Sequence, residues 1–298
     1  MKLAAILLLG IVKAWDYTNQ GTDWTSLGSC SGTRQSPIDF VKEETIPYKG
    51  PDNLKFSLNY CIEINGRFID DGHTLKFEKS DQTASDNYVT GGPLGTTKYH
   101  FWYFDFHWSS EHLVDGQSFP AELHLVHVNE KYIQANGTVM GTALNNPDGN
   151  GLSVIGIFLL GNITDRGNTK WFDDIASAAD SLASDSSTPV LATIDLTKIV
   201  YRLNPTYRTD FNYYTYAGSL TQPNCTEEVT WIVAERPLRV TQAHLESLIA
   251  LNHDNNYRGV QAKNCRKVAS VASNSYTSFT YTPPTCASGI EIDGVTCK

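Results

Sequence analysis

Stretches in which apolar and polar residues alternate recur along most of the 298-residue chain. A period of two is typical of β-strands, and clusters of Gly, Asn, Pro and Asp separate the stretches. The strands predicted in this way are FSLNYCIEI, HTLKFE, YHFWYFDFHW, AELHLVHV, KYIQA, GLSVIGIFLL, DFNYYTY and VTWIVAE. Helical periodicity is limited to 171–183 and to 242–251, where Thr241 provides an N-cap residue. The pattern therefore predicts one mostly β domain with short helices around a large central sheet.

Two of these strands carry histidine and carboxylate side chains. The alternation places Asp105 and His107 on one face of YHFWYFDFHW, and it places Glu122 and His124 on one face of AELHLVHV. If the two strands are antiparallel neighbours with these faces aligned, Asp105, His107 and His124 meet. Three N and O ligands with room for a water molecule are what a catalytic zinc requires. From spacing alone, a hydrogen-bonded core of aromatic strands that contain histidine is the alternative.

Charge and the two ends of the chain narrow the class of protein. The formal net charge of -9 is dispersed, which argues against binding of nucleic acid through its phosphates. Residues 1–14 combine one Lys near the start, an apolar core from Leu3 to Val12 and small residues suited to cleavage after Ala14, as in a secretory signal peptide; a buried N-terminal strand is the alternative. The C-terminus has no apolar tail for a lipid anchor. We therefore expect a secreted, extracellular protein without a membrane anchor.

The motifs around the two strands resemble those of the α-class carbonic anhydrases, which carry FHFHW, SEH and AELHLVHW. The resemblance covers roughly 15–268, with Trp15, Tyr17, Trp24 and RQSPID early and YYTYAGSLTQPNCTEEVTWIV and NYR late. It implies the α-carbonic anhydrase fold with a mainly antiparallel central sheet. The reaction that it implies is reversible hydration of carbon dioxide to bicarbonate by zinc-bound hydroxide. The rest, 269–298, is a Ser/Thr-rich tail with two cysteines.

The resemblance also implies the zinc ligands. The family uses both His of FHFHW and the first His of AELHLVHW, so the site would consist of Asp105, His107 and His124, with Asp105 replacing a His. A carboxylate can bind zinc, but it is shorter than imidazole and its charge makes a bound water less acidic. We therefore expect weakened activity shifted to alkaline pH. The alternatives are an inactive carbonic anhydrase-related binding or matrix protein with an unknown extracellular partner, and a storage or structural glycoprotein.

Further residues receive roles from the resemblance alone. His73 would relay protons, and Thr221 would donate to Glu111 while it orients the hydroxide. Glu122 would orient His124, and the phenol of Tyr103 could either hydrogen-bond Asp105 or mark a site no longer organised for metal. The pocket would be lined by Val126, Val154, Leu220, Gln222 and Trp231, and its solvent network would include Tyr17 and Asp71. Taken singly, these would be turn, surface or core residues.

The other histidines of the two motifs are expected to be structural. The family uses His112 and His127 structurally, and His127 should face away from His124. Strict alternation places His100 on the face opposite Asp105, so His100 should not replace the missing ligand.

Six cysteines in a secreted chain suggest disulfides. The resemblance implies a bridge between Cys30 and Cys225, which would tie the N-terminal segment to the loop SLTQPNC. Sequence alone does not fix the other pairings, for which we favour Cys286–Cys297 and Cys61–Cys265.

Three sequons predict surface glycosylation, at Asn136, Asn162 and Asn224. Asn224 adjoins Cys225, so the folded loop could instead hide it.

Overall fold

The computed structural model describes residues 15–48, 55–60, 63–80, 87–145, 149–161, 169–200, 202–203, 211–251 and 255–272, and the backbone of 291–292 and 295–296. The predicted signal peptide, Cys61, Asn162, Cys286 and Cys297 lie outside these residues. None of the helices in the described ranges has the length and apolar character needed to span a membrane.

The regular structure of the described residues is dominated by strands. They are β1 (Asp39–Phe40), β2 (Ile46–Pro47), β3 (Ser57–Asn59), β4 (Ile64–Asp70), β5 (Leu75–Lys79), β6 (Tyr88–Thr90), β7 (Tyr99–His107), β8 (Leu113–Val114), β9 (Ala121–Asn129), β10 (Leu152–Gly161), β11 (Val190–Ile194), β12 (Tyr213–Gly218), β13 (Val229–Ala234), β14 (Leu238–Val240), β15 (Ala269–Val271), β16 (Glu291–Ile292) and β17 (Val295–Thr296). The α-helices are α1 (Asp173–Ser184), α2 (Thr197–Val200) and α3 (Gln242–Ile249). Single 3₁₀ turns occur at Trp24–Ser26, Lys42–Glu44, Gly92–Leu94, Glu130–Tyr132, Gly141–Leu144 and Lys170–Phe172.

One 13-stranded sheet forms the centre of the protein, and its main path has the order β11-β4-β5-β7-β9-β10-β13-β12-β15-β2. Most neighbours are antiparallel, and the parallel pairs are β10 with β13, β10 with β14, and β15 with β2. Strand β9, between β7 and β10, is buried along its whole length. The predicted fold class, mostly β with short helices and a mainly antiparallel central sheet, is confirmed.

Apolar side chains cover both faces of the sheet in two separate clusters. Phe104 of β7 and Leu125 of β9 belong to the cluster that includes the buried sides of α1 and α3. Val126 of β9 belongs to the other cluster, with Tyr216 and Trp231. Because both faces of the middle strands are buried, β9 and β10 have nearly continuous apolar sequences.

The helices begin close to the predicted positions. Thr241 is the N-cap of α3, and its hydroxyl accepts the His244 N–H at 3.1 Å. Helix α1 follows a 3₁₀ turn at Lys170–Phe172. The sequence pattern did not predict the short strands β11 and β14 or helix α2.

The segment KYIQA was predicted as a strand, and this prediction is wrong. Its first residues belong to the 3₁₀ turn Glu130–Tyr132, where the Asn129 side chain accepts the Lys131 N–H at 3.0 Å. Ile133 then forms only an isolated bridge with Val139. An Asn before the turn therefore outweighs the β-propensity of the Tyr and Ile that follow.

A β-bulge interrupts the pairing of β7 with β9. Phe101 pairs with His127, but Tyr103 pairs with Val126, so Trp102 is an extra residue in β7. An extra residue reverses the alternation of faces along the strand. The order in which side chains alternate between the two faces of the sheet is therefore reversed after Trp102.

The bulge changes the position of His100. His100 pairs with Val128 and Asp105 pairs with His124, and these two partners lie four residues apart on one face of β9. His100 thus lies on the same face as Asp105, and the prediction that it faces away is wrong because strict alternation was assumed. His127 does face away from His124, and its Nε2 lies 2.7 Å from the Tyr60 hydroxyl.

The sheet includes the first residues of the predicted tail. Strand β15 pairs with β12 from Tyr213 to Thr215. Strands β16 and β17 form a separate two-stranded sheet. The division of the chain at 14 and at 268 stays a prediction.

Candidate metal centre

Strands β7 and β9 bring the three predicted ligands together beside a cavity of about 230 Å³. One donor atom from each of Asp105, His107 and His124 lies within 4.8 Å of the other two, and all three residues are buried. His124 Nδ1 is 4.0 Å from Asp105 Oδ1. Neither Asp105 Oδ1 nor His107 Nε2 has a hydrogen-bond partner among the described residues. Buried donor atoms left unpaired at one point fit a zinc ion with N and O ligands.

The backbone of Asn256 orients the His107 ring. His107 Nδ1–H donates to the Asn256 carbonyl at 2.7 Å, which leaves the lone pair of Nε2 available to a metal. The Asn256 side chain accepts the Trp108 N–H at 2.7 Å and donates to the Phe106 carbonyl at 3.0 Å. Burial lowers the pKa of His107 to about 3, so the ring is neutral, as a metal ligand must be. The sequence analysis used Asn256 only as a family marker and missed this contact.

Glu122 orients the His124 ring through a hydrogen bond to its Nε2. Its Oε1 accepts His124 Nε2–H at 2.9 Å and His112 Nδ1–H at 2.7 Å. Its Oε2 accepts the backbone N–H groups of Glu111 and His112 at 3.0 and 2.9 Å. These bonds leave Nδ1 of His124 directed to other partners, which is how a carboxylate fixes a metal-binding histidine.

Electrostatic effects around Glu122 favour an ion pair. Burial alone lowers the pKa of His124, but the carboxylates of Glu122, Glu111 and Asp105 outweigh it and raise that pKa to about 9. Burial likewise opposes ionisation of Glu122, yet His112 and His124 hold its pKa well below the usual value. His112, Glu122 and His124 also form a compact donor group. Glu122 Oε1 in this group is already hydrogen bonded to both histidines, so the group fits the role of orienting His124 for the candidate site.

Asp105 lies beside Lys76, and among the described residues it lacks the hydrogen bond from the Tyr103 phenol that the sequence analysis considered. Burial raises its pKa to about 6, against the opposing effects of His124 and Lys76. Tyr103 forms no hydrogen bond with Asp105 within the described structure, and its ring instead lies 4.3 Å from Lys76 Nζ. Side chains two residues apart on a strand lie on the same face, and both Tyr103 and Asp105 line the cavity. Lys76 lines the cavity and was missed, because its place became clear only from strand register.

Glu111 and Thr221 are buried neighbours at the same site. The Arg258 N–H donates to Glu111 Oε1 at 2.8 Å, while its guanidinium donates to the Ser36 carbonyl at 2.8 Å. Burial raises the pKa of Glu111 to about 8, and the Thr221 hydroxyl acts in the opposite direction. Glu111 Oε2 makes no hydrogen bond of standard geometry in the described part of the chain. It is therefore available to a hydroxyl donor after a small movement of either side chain.

The cavity has an apolar wall and a polar rim. The predicted pocket residues that line it are Val126, Val154, Leu220, Gln222 and Trp231. The Trp231 ring lies 4.8 Å from the His124 ring and donates its N–H to the Ser219 carbonyl at 2.9 Å. Trp102 and Leu144, which were not predicted, also line the cavity.

His73 lies against the N-terminal segment. Its ring stacks on Trp15 with centroids 3.7 Å apart and meets Tyr17 edge-on at 6.3 Å. Asp71 accepts the His73 backbone N–H at 3.0 Å, and Gln222 donates to the Tyr17 hydroxyl at 3.2 Å. The predicted solvent-network residues thus surround His73 on one side of the site.

The predicted disulfide between Cys30 and Cys225 is confirmed, with Cα atoms 4.8 Å apart. Ser29 N–H also donates to the Asn224 carbonyl at 2.8 Å. Gly28 has a φ of 50°, and a Cβ there would lie 2.4 Å from the Cβ of Asn224, so the close approach requires glycine. Cys265 is disulfide-bonded too, and its predicted partner Cys61 lies outside the described residues.

Two of the three sequons can be located. Asn136 is exposed in a turn where its side chain accepts the Thr138 N–H at 3.1 Å. Asn224 is also exposed and lies at the cavity. The folded loop therefore does not hide Asn224.

Comparison with known proteins identifies the family. The family model for eukaryotic-type carbonic anhydrase matches residues 19–272. Human mitochondrial carbonic anhydrase 5A is 32% identical over 278 residues, which cover 86% of this chain and 83% of that protein. Mouse carbonic anhydrase 7 is 31% identical over a match that covers 74% of this chain and 78% of that protein. Dog carbonic anhydrase 6 is 30% identical over a match that covers 90% of this chain and 85% of that protein. The chain belongs to the eukaryotic-type carbonic anhydrase family.

Membership in this family confirms the resemblance that the sequence motifs indicated. At the level of the family, the reaction is the reversible hydration of carbon dioxide and the metal is zinc, so the comparisons support carbonate dehydratase activity.

Proposed function

We propose that the protein is a zinc carbonic anhydrase in which Asp105, His107 and His124 hold the metal, with activity that is weak and shifted to alkaline pH. The supporting observation is that unpaired, buried donor atoms of Asp105 and His107 converge with Nδ1 of His124. Zinc at this point would supply Lewis acidity that makes hydroxide available from water near neutral pH. The added negative charge of Asp105 lowers that acidity, which is why higher pH favours the reaction.

Glu111 and Thr221 orient the attacking oxygen. Glu111 Oε1 accepts the Arg258 N–H, and the unpaired Oε2 would accept a hydrogen bond from the Thr221 hydroxyl. The Thr221 oxygen then accepts a hydrogen bond from the attacking hydroxide and directs its lone pair toward carbon dioxide. Val126, Val154, Leu220 and Trp231 form an apolar wall that suits the neutral substrate.

His73 carries the released proton toward solvent. Histidine suits proton exchange with buffer because a free imidazole titrates in the physiological pH range. Its stacking on Trp15 supports a position at the side of the site, where Tyr17, Asp71 and Gln222 contribute polar groups for a chain of waters.

The protein is also proposed to be secreted and glycosylated. The apolar, cleavable pattern of residues 1–14 supports export, and the disulfide Cys30–Cys225 suits an oxidising compartment. Exposure of Asn136 and Asn224 supports glycan attachment at those positions, and Asn162 is proposed from its sequon alone.

Metal analysis of the purified mature protein, together with carbon dioxide hydration assays from neutral to alkaline pH, tests this function. We expect about one zinc per chain and a rate that rises with pH above neutrality. Protein that is metal-free and inactive even after incubation with zinc would contradict the proposal. It would support instead a secreted carbonic anhydrase-related binding or matrix protein.

A further inference from the structure

Charged side chains of alternating sign cross β4, β5 and β7 toward the cavity. Arg67 Nη2 lies 3.3 Å from Glu78 Oε2, and Lys76 Nζ lies 3.3 Å from Glu78 Oε1. Lys76 is the direct cross-strand neighbour of Asp105, just as Arg67 is of Glu78. We name this row, which consists of Arg67, Glu78, Lys76 and Asp105, the charge ladder.

The charge ladder runs from solvent into the interior. Arg67 is 52% exposed, whereas the Lys76 side chain is 23% exposed and that of Asp105 only 7%. Coulomb interactions are screened at the outer end and become stronger where water is excluded. Charge balance therefore matters most at the innermost cross-strand neighbours, Lys76 and Asp105.

Lys76 is held in position on the cavity wall. Glu78 pairs with its ammonium group, and the Tyr103 ring lies 4.3 Å from Nζ in a cation–π contact. Lys76 is the one lysine or arginine among the described residues that line the cavity, which Asp105 lines as well. Glu78 divides its two oxygens between Arg67 and Lys76, so it does not neutralise both cations.

We propose that Lys76, beside His124, is a counter-charge of Asp105, a positioning residue that helps to balance the negative charge which this ligand brings into the cavity. With Asp105 ionised, the charge ladder contains two positive and two negative groups and sums to zero. With a neutral imidazole in place of Asp105, the same ladder would keep one uncompensated positive charge. Lys76 thus offsets part of the negative charge that Asp105 brings to the cavity.

A double-mutant cycle in protein stripped of metal tests the charge balance. The four proteins are the wild type, Lys76→Met, Asp105→Asn and the double variant, unfolded by urea at mildly alkaline pH and low salt. Lys76→Met should reduce the folding equilibrium constant roughly threefold more in the Asp105 background than in the Asn background. Lys76→Arg should restore the wild-type value, and high salt should shrink the difference. Equal effects of Lys76→Met in both backgrounds would overturn the proposal.

Zinc affinity, measured by chelator competition, separates a counter-charge from a merely structural lysine. Removing a nearby positive charge should tighten zinc binding by roughly threefold in Lys76→Met, whereas loss of packing would weaken it. The matched control is Lys98→Met, because Lys98 also lies over a tyrosine ring, 4.7 Å from the Tyr88 centroid, away from the cavity. Weaker binding in Lys76→Met would overturn the proposal.

This second test rests on the proposed zinc function. Failure of the wild type to bind zinc would reject that function, while the metal-free cycle would still decide the role of Lys76.

Discussion

Asp105 is the residue on which the proposed chemistry depends. The two histidines of the proposed three-ligand site are both oriented by hydrogen bonds, His107 by the Asn256 carbonyl and His124 by Glu122. Asp105 lies directly opposite His124 in the strand register, where the resemblance expects an imidazole. If Asp105 replaces a His ligand, as proposed, one substitution should repair the defect.

Asp105→His should therefore raise both zinc affinity and the rate of carbon dioxide hydration. We expect an increase in kcat/KM of about tenfold or more, or ~1.4 kcal/mol of transition-state stabilisation. The measurements are chelator competition and stopped-flow hydration across pH, where the alkaline shift should diminish. Asp105→Asn, which keeps the size but loses the charge, is the control and should bind zinc more weakly. No gain from histidine would show that the rest of the site does not support catalysis.

Glu122→Gln should weaken zinc binding by roughly 10- to 100-fold. An amide has a single acceptor oxygen, so it cannot satisfy the four N–H groups that now point at the carboxylate. Zinc affinity is measured with chelators on protein whose circular dichroism matches the wild type. Glu246→Gln, at an exposed position of α3, is the control. Unchanged affinity would exclude Glu122 as the group that orients His124.

At the scale of elements, alternation predicted β7 and β9 because both have long runs with one chemically distinctive face. It could not predict the bulge at Trp102, since an extra residue leaves no mark in composition and is fixed only by pairing with β9. The positions of His100 and Lys76 depend on register, and register comes from tertiary structure. The disulfide and the candidate ligands were accessible from sequence because family motifs carry them, whereas the Asn256 carbonyl has no sequence signal at all.

The strand β9 also carries a histidine that should make stability depend on pH. Burial lowers the pKa of His127 to about 3, so the folded protein keeps the ring neutral while the unfolded chain takes up a proton below about 6.5. The stabilising contribution is complete above that pH and is lost as pH falls toward 3. For this one group, the free energy of unfolding should drop by about 1.4 kcal/mol per pH unit within the window.

Urea unfolding of His127→Gln over the same pH range tests this dependence. The variant should have a shallower fall in the free energy of unfolding on acidification. Tyr60→Phe removes the hydroxyl that lies 2.7 Å from the ring but keeps the ring, so it should retain the wild-type slope. Identical slopes for the wild type and His127→Gln would assign the acid sensitivity to other groups.

At the scale of the whole molecule, the disulfide joins residues 195 positions apart. A bridge across so long a loop restricts the unfolded chain, so Cys30→Ser with Cys225→Ser should cost about 2–5 kcal/mol. Because Cys225 follows the loop that holds Thr221, the loss should also lower kcat. Calorimetric unfolding of the oxidised wild type and the double variant measures the stability effect. Equal melting temperatures would show that hydrogen bonds such as Ser29 to Asn224 hold the loop by themselves.

The contact between Asn256 and His107 has a consequence for protein synthesis. Strands β7 and β9 are translated long before Asn256, yet His107 needs the Asn256 carbonyl to present Nε2. A nascent chain, or one that a premature stop ends before residue 256, would contain every candidate ligand without the group that orients one of them. Competence to bind metal should therefore arise late, after most of the sheet has been made.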